Sequence, residues 1–131
     1  YYVPPVVFGD VERDMRIAQE EIFGPVLTVH RYDNVEEAIE ITNDTEYGLT
    51  AAVWSRNMEI ANRVARRFEV GLVFINNFVN GFLGAPFGGV KKSGTGRKLG
   101  LDETMAEFTQ TKTIRSRIAP SEPGKLDEYY D

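Results

Sequence analysis

Gly71-Leu72-Val73-Phe74-Ile75-Asn76 is the stretch that decides the fold. A nearly unbroken apolar run of this length is what a strand needs when both faces of its sheet are covered, as in parallel sheets. Immediately before it, residues 58–68 place Ala61, Val64, Ala65 and Phe68 at helical spacing, which predicts a helix with one buried stripe. Before that helix, residues 49–54 form a second strand. Farther back, Asn34 followed by Glu37 fits a capping box, and Val35, Ala38, Ile39 and Thr42 supply the apolar side of another helix. Tyr47-Gly48 breaks that helix, and the β-branched run of residues 26–32 precedes it as a further strand.

The alternation of strand and helix predicts an α/β chain, a parallel-type open sheet with flanking helices and right-handed crossovers. The flanks are less regular. Residues 3–8 are expected to be extended, because proline disfavours helix at itself and at the residue before it, and residues 12–18 to be short helix or irregular. Seven glycines (81, 84, 88, 89, 94, 96 and 100) make residues 81–100 mostly loop. A short helix over 102–107 is followed by the alternating run Phe108-Thr109-Gln110-Thr111-Lys112-Thr113-Ile114-Arg115, read as an edge strand spanning 108–118. An unpaired edge invites association with another chain. Residues 119–131 are an acidic tail expected to be flexible.

Composition narrows the function classes. Over 131 residues, 42% hydrophobic and 27% charged content is ordinary for a globular protein of one domain or a piece of a larger one. A net charge of −5 gives no general basic field for phosphates, so no nucleic-acid partner is expected. The chain has no cysteine, which excludes disulfides and thiolate metal sites within it and is compatible with a cytoplasmic location. No apolar run approaches the roughly 20 residues needed to span a bilayer, so no membrane partner is expected. Tyr1-Tyr2-Val3-Pro4-Pro5 has neither the basic start nor the apolar stretch of a signal peptide and no initiator methionine, which fits a start inside a longer gene.

Two segments carry candidate chemistry. In Glu20-Glu21-Ile22-Phe23-Gly24-Pro25 a carboxylate can accept two hydrogen bonds from a diol, an aromatic ring stands two residues on, and Gly-Pro fixes a tight exit. Taken alone, these are also the residues of an ordinary surface loop. The second segment begins at Asn76, passes through the apolar loop with Phe78, Val79, Gly81 and Phe82, and continues as Pro86-Phe87-Gly88-Gly89-Val90-Lys91-Lys92-Ser93-Gly94-Thr95-Gly96-Arg97-Lys98-Leu99-Gly100. A loop with two phenylalanines suits a pocket that excludes water, or a core under a long loop. Other patterns fail. Gly94, Gly96 and Gly100 miss the dinucleotide fingerprint by one place, Thr95 stands where a phosphate loop needs lysine, and Ser93 lacks the glycines of a nucleophile elbow. A lone histidine, His30, makes no metal site.

Together the two segments resemble the closing third of NAD(P)-dependent aldehyde dehydrogenases, and the likeness extends over residues 3–118. The resemblance implies that Glu21 binds the nicotinamide ribose and that Phe23 packs at the nicotinamide. It implies that Phe87 faces the aldehyde and that Phe78, Val79, Gly81 and Phe82 line the entrance tunnel. It further implies a homo-oligomer built through residues 108–118, and a division into a catalytic-domain portion (1–107), that association strand and the tail (119–131). In such enzymes a cysteine thiolate adds to the aldehyde, hydride passes to NAD or NADP, and a base-activated water releases the carboxylate. The nucleophile has no counterpart here, so the resemblance implies cofactor and substrate contacts without autonomous catalysis. A non-catalytic interaction or regulatory module derived from such an enzyme stays open as the alternative. Lys98 departs from the pattern, which carries glutamate there, and that glutamate's role is not transferred.

Overall fold

The computed structural model of the chain describes residues 1–78 and 84–116. Its centre is the unit predicted from residues 71–76: β4 (Thr50–Val53), α3 (Met58–Ala65) and β5 (Leu72–Ile75), with the two strands parallel and in register from Thr50↔Leu72 to Val53↔Ile75. Helix α3 begins where Asn57 caps it, its side-chain oxygen accepting from the N–H groups of Glu59 (3.0 Å) and Ile60 (3.1 Å). That satisfies two of the donors a helix start leaves orphaned. Its inward face, Ala61 and Val64, is buried against β4 and β5.

A second parallel pair joins β1 (Val6–Phe8) to β2 (Val26–Thr28), with Val7 opposite Leu27 and the short α1 (Arg16–Gln19) between the strands in sequence. Helix α2 (Val35–Asn43) follows, and Ile39 is its buried residue at 2% exposure. The expected capping box forms with one difference. Asn34 accepts from the Glu37 N–H at 3.0 Å, but the Glu37 carboxylate reaches back one residue farther, to the Asp33 N–H at 2.7 Å. A short antiparallel pair, β3 (Tyr47–Gly48) with β6 (Val90–Lys91), ties the middle of the chain to the glycine-rich stretch.

The fold class is α/β, as the alternation predicts, but the strands of the described residues form three two-stranded sheets rather than one open sheet. Strands of two to four residues make few ladder bonds, and β2 and β4 are not hydrogen-bonded to each other. Strand β5 is half-buried along its whole length, because α3 covers one side of it. The expected edge strand pairs with no other strand among the described residues, and its first residue is helical. Phe108 closes α4 (Leu101–Phe108), and residues 109–116 belong to no sheet among those described. Leu101, Met105 and Phe108 recur four and three apart, a helical period that outweighs the alternation beginning at Phe108. Residues 117 and 118 and the acidic tail lie outside the described residues. No helix among the described residues is long and apolar enough to cross a membrane.

Candidate functional site

The Glu20–Glu21 pair is split by the end of α1. Arg16 donates from Nε to Glu20 Oε1 at 2.7 Å, one helical turn away. That guanidinium holds the Glu20 carboxyl below its ordinary range, and the carboxylate in turn raises Arg16. Glu21 has no ion pair or side-chain hydrogen bond among the described residues and lines an open cleft of about 530 Å³. Phe23 lies on the same cleft at φ 54°, the left-handed region, and is 90% exposed. For a bulky non-glycine residue that conformation costs on the order of 1 kcal/mol or more, so the surrounding chain must impose it. The imposing turn is Gly24-Pro25. The Val26 N–H donates to Gly24 O at 2.8 Å, and the Val6 N–H donates to Pro25 O at 2.9 Å, so the exit is fixed to the first rung of β1–β2. Thr45, Tyr47, Leu49 and Ser93 also line the cleft.

The Pro86-Phe87-Gly88-Gly89 segment is held by main chain against main chain. Phe87 and Lys98 exchange both backbone hydrogen bonds, at 2.7 and 2.9 Å. A side-chain carbon on Gly71 would overlap the Gly88 carbonyl, and one on Gly48 would meet Glu69 O at 2.6 Å and Val90 Cγ2 at 2.7 Å. Arg97 completes the seat by donating from Nη1 to Gly89 O (2.8 Å) and Gly96 O (2.7 Å). Phe87 is half-buried and lines a second cleft of about 470 Å³ with Thr95, Arg97 and Phe108.

The predicted residues are therefore not gathered into one cavity. Glu21 and Phe23 share the first cleft, Phe87 lines the second, and Leu49 and Ser93 border both. Phe78 is 67% exposed, its ring centroid 6.3 Å from that of Phe74 and tilted by 60°. Val79, Gly81 and Phe82 fall outside the described residues. Asn76, directly after β5, sits at φ 52° and clamps Ser55, accepting from its N–H at 2.8 Å and donating to its carbonyl at 2.9 Å. Among the described residues no group of carboxylates and histidine could hold a metal ion.

Reasoning from sequence missed the glycine packing, the Asn76 clamp and the position of Lys91. Gly71 directly before an apolar strand was the available signal for a close backbone approach. Arg16 four residues before Glu20 was the signal that this glutamate is engaged.

Comparison with known proteins identifies the family. The profile described as "Aldehyde dehydrogenase family" matches residues 1–114. A betaine aldehyde dehydrogenase of Bacillus subtilis is 46% identical over 121 residues, 92% of this chain and 24% of that protein. A geranial dehydrogenase of Castellaniella defragrans is 50% identical over 87% of this chain and 23% of its own length. Among solved structures, an indole-3-acetaldehyde dehydrogenase of P. syringae in complex with NAD+ superposes with a TM-score of 0.81 at 50% identity, covering 85% of this chain and 22% of that one. An NAD-dependent aldehyde dehydrogenase from Sinorhizobium meliloti reaches a TM-score of 0.84 at 44% identity, covering 91% and 24%. The chain belongs to the aldehyde dehydrogenase family. It spans about a quarter of the length of the relatives it matches.

Proposed function

We propose that this chain is the nicotinamide-side and substrate-wall portion of an enzyme that oxidises an aldehyde to a carboxylic acid with NAD or NADP. The observation that carries the reading is Phe23: a bulky residue in a left-handed backbone conformation, 90% exposed, beside a carboxylate with no ion pair among the described residues. Strain of this kind clusters at ligand-binding sites, which supports an occupant that covers the exposed residue. The donor set suits the cofactor. Glu21 offers two carboxylate oxygens to a ribose diol, and Phe23 an apolar face to a planar ring. When bound, NAD or NADP accepts the hydride; these side chains fix where its reactive ring lies and exclude water from one side. Phe87 contributes an apolar wall to the aldehyde site, with Phe78, Val79, Gly81 and Phe82 along its entrance.

No cysteine is present in these 131 residues, so the nucleophile belongs to sequence outside them and the segment alone is inactive. The same reading makes the protein a cytoplasmic homo-oligomer associating through residues 108–118, supported by Phe108 and Ile114, each 82% exposed. Deleting that stretch from the complete enzyme should lower the oligomer mass in light scattering. The test of function is made on the complete enzyme. Phe23→Ala should lower turnover about 10-fold or more, as loss of a positioning contact does, and Glu21→Gln should raise the KM for the cofactor. Unchanged values for both would end the proposal.

A further inference from the structure

We infer that residues 43–45, at the C-terminal end of α2, are a common mount for the cofactor-side and substrate-side segments, with Gln19 and Lys91 as its positioning residues. The inference rests on the functional reading of those two segments. Three successive carbonyls are taken in alternation. Lys91 Nζ donates to Asn43 O at 2.7 Å and to Thr45 O at 3.2 Å, and Gln19 Nε2 donates to Asp44 O at 2.9 Å and to Arg13 O at 2.8 Å. Carbonyls at a helix C-terminus lack intrahelical partners and carry the negative end of the helix dipole. Helix α2 has no basic residue in its own last turn, so Lys91 brings the cation from the glycine-rich segment.

The position of Lys91 in the chain argues against an incidental surface contact. It lies at φ 53°, its side chain is 25% exposed, and its third partner is the Glu69 carboxylate at 2.8 Å. Asn43 closes the mount on the far side, donating from Nδ2 to Arg67 O (2.8 Å) and accepting the Glu69 N–H (2.9 Å). Gln19 stands two residues before Glu21 and Lys91 four residues after Phe87. A displacement of either donor therefore reaches the other segment through the same three residues.

The experiment measures KM for NAD+ and for aldehyde separately in the complete enzyme. Lys91 lies in the substrate-side segment, yet Lys91→Met, which removes all three of its contacts, should raise the KM for NAD+ about 3- to 10-fold, since intramolecular hydrogen bonds have a modest net worth against water. Reciprocally, Gln19→Ala should raise the KM for aldehyde. Lys92→Met, which removes a charge paired with the exposed Glu46, is the control and should change neither. A merely structural loss would lower kcat through the active fraction and leave both KM values in place, overturning the mount. The mount also falls, with the functional reading intact, if Lys91→Met moves the aldehyde KM alone while Phe23→Ala still lowers turnover. Silence of Phe23→Ala as well would overturn the functional reading and the mount with it. If Lys91→Met does not fold, Gln19→Ala decides: an unchanged aldehyde KM overturns the proposal.

Discussion

The β4–α3–β5 unit and the β1–β2 pair are built from the same kind of sequence and end in opposite states. Both are parallel pairs of short β-prone strands. In the first, a capped helix lies on the strands, Ala61 and Val64 are buried, and all four β5 residues are at least half covered. In the second, Val7 and Leu27 stand side by side at 64% and 59% exposure, and the helix between the strands in sequence has no buried residue. Strand propensity was available to both; a covering layer within the described residues was available to one. Burial of apolar surface rather than propensity separates them, at roughly 25 cal/mol per Å² covered.

The comparison is easiest to break at Gly71. Gly71→Ala drives a carbon into the Gly88 carbonyl, and the unit should lose about 3 kcal/mol or more in chemical denaturation. An unchanged midpoint would mean that this half is not close-packed. Asn57→Ala removes the cap of α3 and should cost about 1 kcal/mol, sharpening the claim that a preorganised helix sustains the first half. Leu27→Ala in the second half should change the stability of this chain by less than about 0.5 kcal/mol, because the side chain is mostly in water already. A larger loss would show that β1–β2 is covered in solution. The smallest effect is an acid one. Arg67 pairs with Glu36 and holds its carboxyl below the ordinary range. A lowered folded value contributes stability that is present above the unfolded carboxylate pKa and fades as the pH falls through the depressed folded one. Both groups are exposed, so the gain is modest and screened by salt. Melting temperatures of wild type and Glu36→Gln should converge on acidification; a constant gap would remove the pair from the account.

Local signals were legible where neighbours in sequence are neighbours in space. Asn34 and Glu37 announced the start of α2, and the spacing of Ala61 and Val64 announced the inward face of α3. Phe108 was ambiguous, because it both completes the Leu101-Met105 stripe and begins the alternating run; the helix took it. The seat of Phe87 was not legible. It depends on Gly71 meeting Gly88 across seventeen positions, and such contacts leave no period in the sequence. The site was half readable. Glu21 and Phe23 do lie on one cleft, whereas Phe87 opens onto another, and no spacing rule tells one cleft from two.

The glycine seat has a consequence for how such a protein can change over generations. Where Gly48, Gly71 and Gly88 meet their neighbours, position is set by main-chain atoms, and any added carbon at these three places is rejected. Substitution can therefore change the side chains around this seat far more readily than the three glycines, which makes the seat the slowest part of the described chain to change.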